Sequence, residues 1–199
     1  MNADTPIRPC ADTFLHRAVF LDRDGVINRP LIREGKPYPP SSLVEFEFLP
    51  GVPEACRVLK KLGFLLVVAT NQPDVGRGTL AREAVETIHE WLLQQLPVER
   101  VMTCFHGGSA FGDQCDCRKP RPGMLFQAAE ALKIDLAKSF MVGDRWRDVN
   151  CGYSAGCQTI FIDWGYEEKL KRDPNFRARD LLGAAQLIEQ LEQKNDART

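Results

Sequence analysis

Short apolar runs ending in polar residues recur along this chain, each followed by a stretch with helical spacing, and that alternation narrows the possible folds more than any other feature. Residues 17–22 (RAVFLD) and 64–70 are continuous apolar runs, the pattern of strands buried on both faces. Residues 100–105, 139–142 and 158–163 are further strand candidates. Helical spacing predicts helices over 52–62, 80–93, 123–132, 145–154 and 181–191. Gly63 stands where a glycine ends a helix, and Trp91 shares a helix face with apolar neighbours, as a packing residue would. The expected fold is α/β, a single Rossmann-like three-layer domain with a mostly parallel sheet. A chain of 199 residues has the length of one domain, and we assign it to residues 17–193, with tails at 1–16 and 194–199.

In such sheets ligands bind beyond the carboxyl ends of the strands. Asp22, Thr70 and Asp144 each fall at such an end. Asp22-Arg23-Asp24-Gly25 sets two carboxylates on a turning backbone, where their repulsion is relieved by a hard divalent cation shared with Asp144; magnesium suits that oxygen-rich set. A carboxylate beside such a cation can attack phosphorus, and a second acid can protonate the leaving oxygen and then deprotonate water. By itself the DxDG run fits two acids capping a turn equally well. Its company decides: the Thr70 hydroxyl and the backbone after it suit phosphoryl oxygens, Lys119 supplies positive charge, and Val142-Gly143-Asp144 closes a later strand, with Asp148 one helical turn on.

A second cluster is Cys104-x-His106-x8-Cys115-x-Cys117, three thiols and an imidazole, the donor set of a closed structural zinc site. Seven cysteines is an odd count and suits reduced thiols better than a disulfide framework. Cys10, Cys56, Cys151 and Cys157 are expected to be ordinary thiols. Lys119 lies two residues past Cys117, so zinc would also place the lysine. The proline-rich stretch 28–50 is longer than an ordinary connection and is expected to serve the site.

Taken in order, the four aspartate, hydroxyl and lysine motifs resemble those of the haloacid dehalogenase-like phosphohydrolases over residues 17–165. The zinc cluster, Phe48-Leu49-Pro50-Gly51-Val52, Asn71-Gln72, Arg77-Gly78 and Lys119-Pro120-x-Pro122-Gly123-Met124 are similar to the capless branch that includes heptose-bisphosphate and histidinol-phosphate phosphatases. That resemblance implies Asp22 as nucleophile, Asp24 as general acid and base, and Thr70 and Lys119 as groups that stabilise the transferring phosphoryl. It implies magnesium held by Asp22, Asp144 and the backbone carbonyl of Asp24, with Asp148 either backing the metal or serving as a helix N-terminal acid. Asn71, Gln72, Arg118 and Arg145 would contact substrate. There is no insertion long enough for a cap domain, so the 28–50 segment and the zinc loop would enclose the ligand. Pro73-Asp74-Val75 and 163–167 depart from the branch and bear on the substrate. Asp74 adds a carboxylate that would repel a second phosphate unless it is paired.

The implied substrate is a small phosphorylated metabolite, D-glycero-D-manno-heptose 1,7-bisphosphate first and histidinol phosphate as the alternative. A net charge of −1 and the lack of an aromatic–basic stripe argue against nucleic acid, and hence against an end phosphatase. The complete acid and lysine set argues against an inactive zinc-binding module. No apolar run is long enough to span a bilayer and no secretion signal is evident, so a cytoplasmic monomer is expected. The 169–172 basic segment is expected to be a solvated charged face.

Overall fold

The computed structural model describes residues 15–33, 36–112, 114–165 and 167–197. The expected N-terminal tail lies almost wholly outside the described residues; His16 at its end is anchored, its N–H donating to the Lys133 carbonyl at 2.8 Å.

Six strands form one parallel sheet: β1 (Ala18–Leu21), β4 (Leu65–Asn71), β5 (Arg100–Cys104), β6 (Phe140–Gly143), β7 (Gln158–Ile162) and β8 (Phe176–Ala178), in the order β5-β4-β1-β6-β7-β8. A separate antiparallel hairpin pairs β2 (Leu31–Arg33) with β3 (Lys36–Tyr38) inside the long 28–50 connection. The helices are α1 (Val52–Lys61), α2 (Pro73–Gly76), α3 (Arg82–Gln95), α4 (Gly123–Leu132), α5 (Trp146–Ala155) and α6 (Leu181–Asp196).

Side chains of a strand alternate between faces, so the sheet feeds two cores. Val19 and Leu21 of β1 join Leu66 and Val68 of β4 against α1 and α6. Ala18 and Phe20 join Val67 and Ala69 against α4 and α5. These strands are buried on both faces, which is why they are continuously apolar rather than alternating. Gly63 has φ +84° just past α1, the left-handed stop that its position implies.

The structure differs from the sequence reading in several elements: the 181–191 helix continues to Asp196, and the short elements α2 and β8 and the β2–β3 hairpin are additions to it. Trp91 sits beside the main core rather than in it: its ring stacks on Phe48 at 5.1 Å between centroids and meets Phe46 edge-on at 5.5 Å, pinning the 28–50 connection to α3. Among the described residues, no helix is long and apolar enough to cross a membrane.

The chain runs outward from β1 to β4 and β5, then returns to β6 on the other side of β1. That reversal opens a crevice between the carboxyl ends of β1 and β6. Leu21 and Val142 are register partners, so Asp22 and Asp144 emerge side by side into it.

Candidate active site

Asp22, Asp144 and Asp148 converge in the crevice, with one carboxylate oxygen from each lying within 4.8 Å of the others. All three are buried. Asp22 is delivered by β1, whose pairing with β6 continues as its N–H donates to the Val142 carbonyl at 3.0 Å. Asp148 occupies the third position of α5 and its Oδ2 accepts the Arg145 N–H at 3.0 Å, satisfying a backbone donor at the start of the helix. Its other oxygen, Oδ1, lies 2.6 Å from Lys119 Nζ. Asp148 thus serves the helix N-terminus with one oxygen and Lys119 with the other.

Lys119 Nζ also lies 2.7 Å from Asp22 Oδ1 and donates to the Ala69 carbonyl at 2.7 Å. Asp22 Oδ1 accepts the Arg23 N–H at 2.8 Å as well, so two donors set the rotation of that carboxylate. One ammonium against three buried acids leaves the cluster negative. Burial, then the charge of Asp148, pushes Asp22 up to about 7 despite Lys119. Burial, then Asp22 and Asp148, raises Asp144 well above the carboxylate range. Burial alone would lower the Lys119 ammonium, but Asp148 and Asp22 outweigh it and hold it protonated. Asp144 Oδ1 is buried and has no protein hydrogen-bond partner. An orphaned oxygen among crowded acids fits a hard divalent cation, which takes oxygen donors.

Gly25 allows this closeness. It has φ +91°, and a Cβ there would lie 2.1 Å from Asp144 Oδ2. Its carbonyl accepts the Trp164 indole N–H at 2.7 Å, so Trp164 braces the turn that follows Asp22.

Asp24 turns to a different set of partners. Asn28 Nδ2 donates to its Oδ1 at 3.0 Å, Gln72 Nε2 to its Oδ2 at 2.8 Å, and Arg23 Nη2 lies 3.1 Å from both oxygens. Burial would raise this carboxyl, but the Arg23 charge and these hydrogen bonds outweigh it and hold it below the ordinary range.

The remaining expected residues divide. Thr70 is buried beneath the site and its hydroxyl accepts from Gln72 Nε2 at 2.9 Å. Gln72, expected at the substrate, is itself buried and spends its amide on Asp24 and Thr70. Asn71 exchanges two 3.0 Å hydrogen bonds with the Lys119 backbone, tying β4 to the lysine. Asn71, Arg118 and Arg145 line a cavity of about 300 Å³ with Asp22, Asp24 and Lys119 at its foot. Arg145 and Arg147 both pair with Glu168. Asp74 lines this cavity too, in the groove where the sequence put it, as do Arg77, Arg147 and Tyr38, which the sequence reading does not assign to the site. Arg77 was legible in Arg77-Gly78, whereas nothing in the sequence marks Arg147. Asp74 pairs with Arg77 at 3.3 Å, the neutralisation its place in the groove requires.

Beside this cavity the second cluster assembles. Donor atoms of Cys104, His106, Cys115 and Cys117 lie within 4.8 Å of one another. His106 Nδ1 is 3.4 Å from the Cys104 sulfur and 3.3 Å from the Cys117 sulfur, and the Cys104 and Cys115 sulfurs are 3.8 Å apart. A tetrahedron with Zn–S bonds of about 2.3 Å has sulfurs about 3.8 Å apart, so the set fits zinc. Burial, then the adjoining thiols, pushes the Cys117 thiol up, a cost that a bound cation reverses.

Comparisons with known proteins agree with this geometry. A HAD-hydrolase-like family model matches residues 116–184. The D-glycero-beta-D-manno-heptose-1,7-bisphosphate 7-phosphatase of Escherichia coli K12 is 42% identical over 151 residues, 71% of this chain and 76% of that protein. The protein of the same name from Pasteurella multocida is 34% identical over 188 residues, covering 89% and 99%. The crystal structure of D,D-heptose 1,7-bisphosphate phosphatase from B. bronchiseptica, complexed with magnesium and phosphate, superposes with a TM-score of 0.74 at 30% identity, covering 87% of this chain and 98% of that one.

Proposed function

Because the chain belongs to the haloacid dehalogenase-like phosphatases, the family of these heptose-bisphosphate enzymes, we propose that it removes the 7-phosphate of D-glycero-D-manno-heptose 1,7-bisphosphate through an aspartyl-phosphate on Asp22. The observation that carries this reading is one cavity with Asp22, Lys119 and Asp144 at its foot and Arg77, Arg118 and Arg147 on its walls. An acid–lysine foot suits the phosphate that is cut, and guanidinium groups suit the phosphate that stays.

An Asp22 oxygen forms the new bond to phosphorus as the bond to the leaving oxygen breaks. Lys119, anchored by Asp22, Asp148 and the Ala69 carbonyl, stabilises the charge spread over the phosphoryl oxygens. Thr70 supports from below by holding Gln72. The leaving oxygen takes its proton from Asp24, and Asp24 then accepts a proton from the water that hydrolyses the acyl phosphate. The approach of a phosphate dianion adds negative charge beside Asp24 and favours its protonated form. Magnesium would be held by Asp22, Asp144 and the Asp24 backbone carbonyl with Asp148 behind, and when bound would screen the acids and polarise the phosphoryl group. Zinc on Cys104, His106, Cys115 and Cys117 would be structural. We assign the enzyme to the cytoplasm as a monomer, with residues 17–193 as the phosphatase domain.

Phosphate release across a panel with magnesium tests the substrate. The heptose bisphosphate is expected to be preferred over histidinol phosphate and over a 3′-phosphorylated oligonucleotide. A ten-fold or greater preference for histidinol phosphate would overturn the substrate while leaving the reaction.

Gly25→Ala tests the packing of the foot. The strained φ and the clash with Asp144 are expected to cost about 2 kcal/mol or more of stability. Displacing Asp144 should also slow phosphate release by about 10²-fold, read by melting and by steady-state rates.

A further inference from the structure

Among the described residues, Arg23 is the largest side chain with no solvent exposure, and the proposed chemistry gives it no direct task. An apolar residue of similar volume would fill the space without the desolvation cost of a guanidinium, so core filling does not explain it. Its Nη2 touches Asp24, and its Nη1 lies 3.0 Å from Nε2 of His89 on α3, itself buried.

A guanidinium can only donate, so His89 Nε2 must be the acceptor and the ring proton must sit on Nδ1. Nδ1 lies 3.4 Å from the Thr103 hydroxyl on β5, which can accept it. Burial, then the charge of Arg23, lowers His89 to about 3, so the ring stays neutral through the working range and the contact does not switch with pH. A one-directional chain of donors therefore runs from Arg23 through His89 to Thr103.

We propose that His89 is a positioning residue for Asp24, acting through Arg23. By holding Nη1, His89 fixes the plane of the guanidinium so that Nη2 alone meets the two Asp24 oxygens and the buried Nε is left without a partner, short of the two-pronged fork that arginine otherwise makes. A fork would pin the carboxylate against Arg23 and keep it from the leaving oxygen; a single prong holds it in place and lets it reach. The inference rests on the assignment of Asp24 as the acid.

The test compares kcat/KM for two substrates in the folded, metal-loaded enzyme. One is the heptose bisphosphate, whose leaving alkoxide needs a proton. The other is p-nitrophenyl phosphate, whose phenolate leaves without one. Hydrolysis of the acyl phosphate is common to both and does not enter kcat/KM, and the ratio of the two values is independent of the folded fraction.

In His89→Leu the value for the heptose bisphosphate is expected to fall by about 10–100-fold, within the span of general acid catalysis, and that for the aryl phosphate by less than about three-fold. His89→Gln, whose amide oxygen can stand near Nε2, is expected to restore the ratio. His89→Asn, whose shorter amide reaches only the Nδ1 side, is expected to behave like leucine and keeps the test open should the leucine variant not accumulate. Equal losses on both substrates, or rescue by asparagine as good as by glutamine, would overturn the positioning role. If the wild-type protein hydrolysed neither substrate, the proposed function would fail instead.

Discussion

Asp22→Asn is expected to reduce phosphate release by at least about 10³-fold, because the amide cannot form the acyl phosphate and no neighbouring acid is placed to substitute. Asp144 and Asp148 are close, but Asp148 Oδ2 caps α5 and its Oδ1 faces Lys119. The same substitution should not weaken the metal-free fold. The Asp22 carboxyl sits at about 7 in the folded protein against an ordinary value near 3.8, so the folded state binds its proton more tightly than the unfolded state does. Stability from this group is therefore full below the ordinary carboxylate value and is lost as pH rises through about 7. At pH 8 without magnesium the asparagine variant is expected to be more stable than wild type, by on the order of 1–3 kcal/mol given the coupling among the acids. Magnesium should narrow that gap by stabilising the wild type more. Turnover by the variant at the wild-type rate would remove the nucleophile from the mechanism, and a variant that melted lower at pH 8 without metal would show that the acids do not repel as the geometry implies.

The acids that make this prediction were legible because they end strands whose apolar runs are unmistakable. Burial on both faces leaves β1, β4, β6 and β7 no room for alternation, so each reads as an uninterrupted apolar stretch closed by the residue that enters the crevice. Edge position removes that signal. At three residues, with Arg177 exposed in its middle, β8 has neither length nor pattern to mark it. Side-chain direction at the strand ends was equally hidden. Asn71 and Gln72 are both amides just past an apolar run, yet one lines the cavity and the other is buried beneath it. Only the pairing of β4 with β1 and the placement of Asp24 decide which is which. His89 lies among apolar residues on a helix face, with no motif around it. Its meaning comes from Arg23, 66 positions away in sequence, and no local pattern carries such a contact. Asp148 was legible as a candidate because an acid one turn beyond Asp144 suits a helix N-terminus; that its second oxygen also reaches Lys119 follows from the packing of α5.

Cys117→Ser is expected to have the largest effect on stability, because the four-residue cluster is the main tie on the loop that leads into Lys119. Residues 109–112 and 114 are exposed, including Phe111, so the loop buries little apolar surface of its own. Lys119 itself is tied to Asn71 and to the Ala69 carbonyl, but among the described residues the loop before it is held chiefly by Arg118 Nη1 to the His106 carbonyl at 3.0 Å, Arg121 Nη1 to the Cys115 carbonyl at 2.6 Å and the Gly123 N–H to the Asp116 carbonyl at 3.0 Å. Structural zinc contributes about 10–16 kcal/mol of apparent binding energy in small domains, and removing one of four ligands should forfeit at least about 3 kcal/mol of it here. The loss should appear as a lower unfolding midpoint together with zinc content falling from one per chain toward zero. Activity should fall with it, since the segment after Cys117 presents Lys119 to Asp22 and Asp148. Magnesium withdrawal should behave differently: turnover stops and returns on re-addition, with the zinc and the midpoint retained. Freshly purified protein without tightly bound zinc, or a serine variant that kept both its metal and its midpoint, would mean that the protein backbone alone orders this loop and that the four donors meet for another reason.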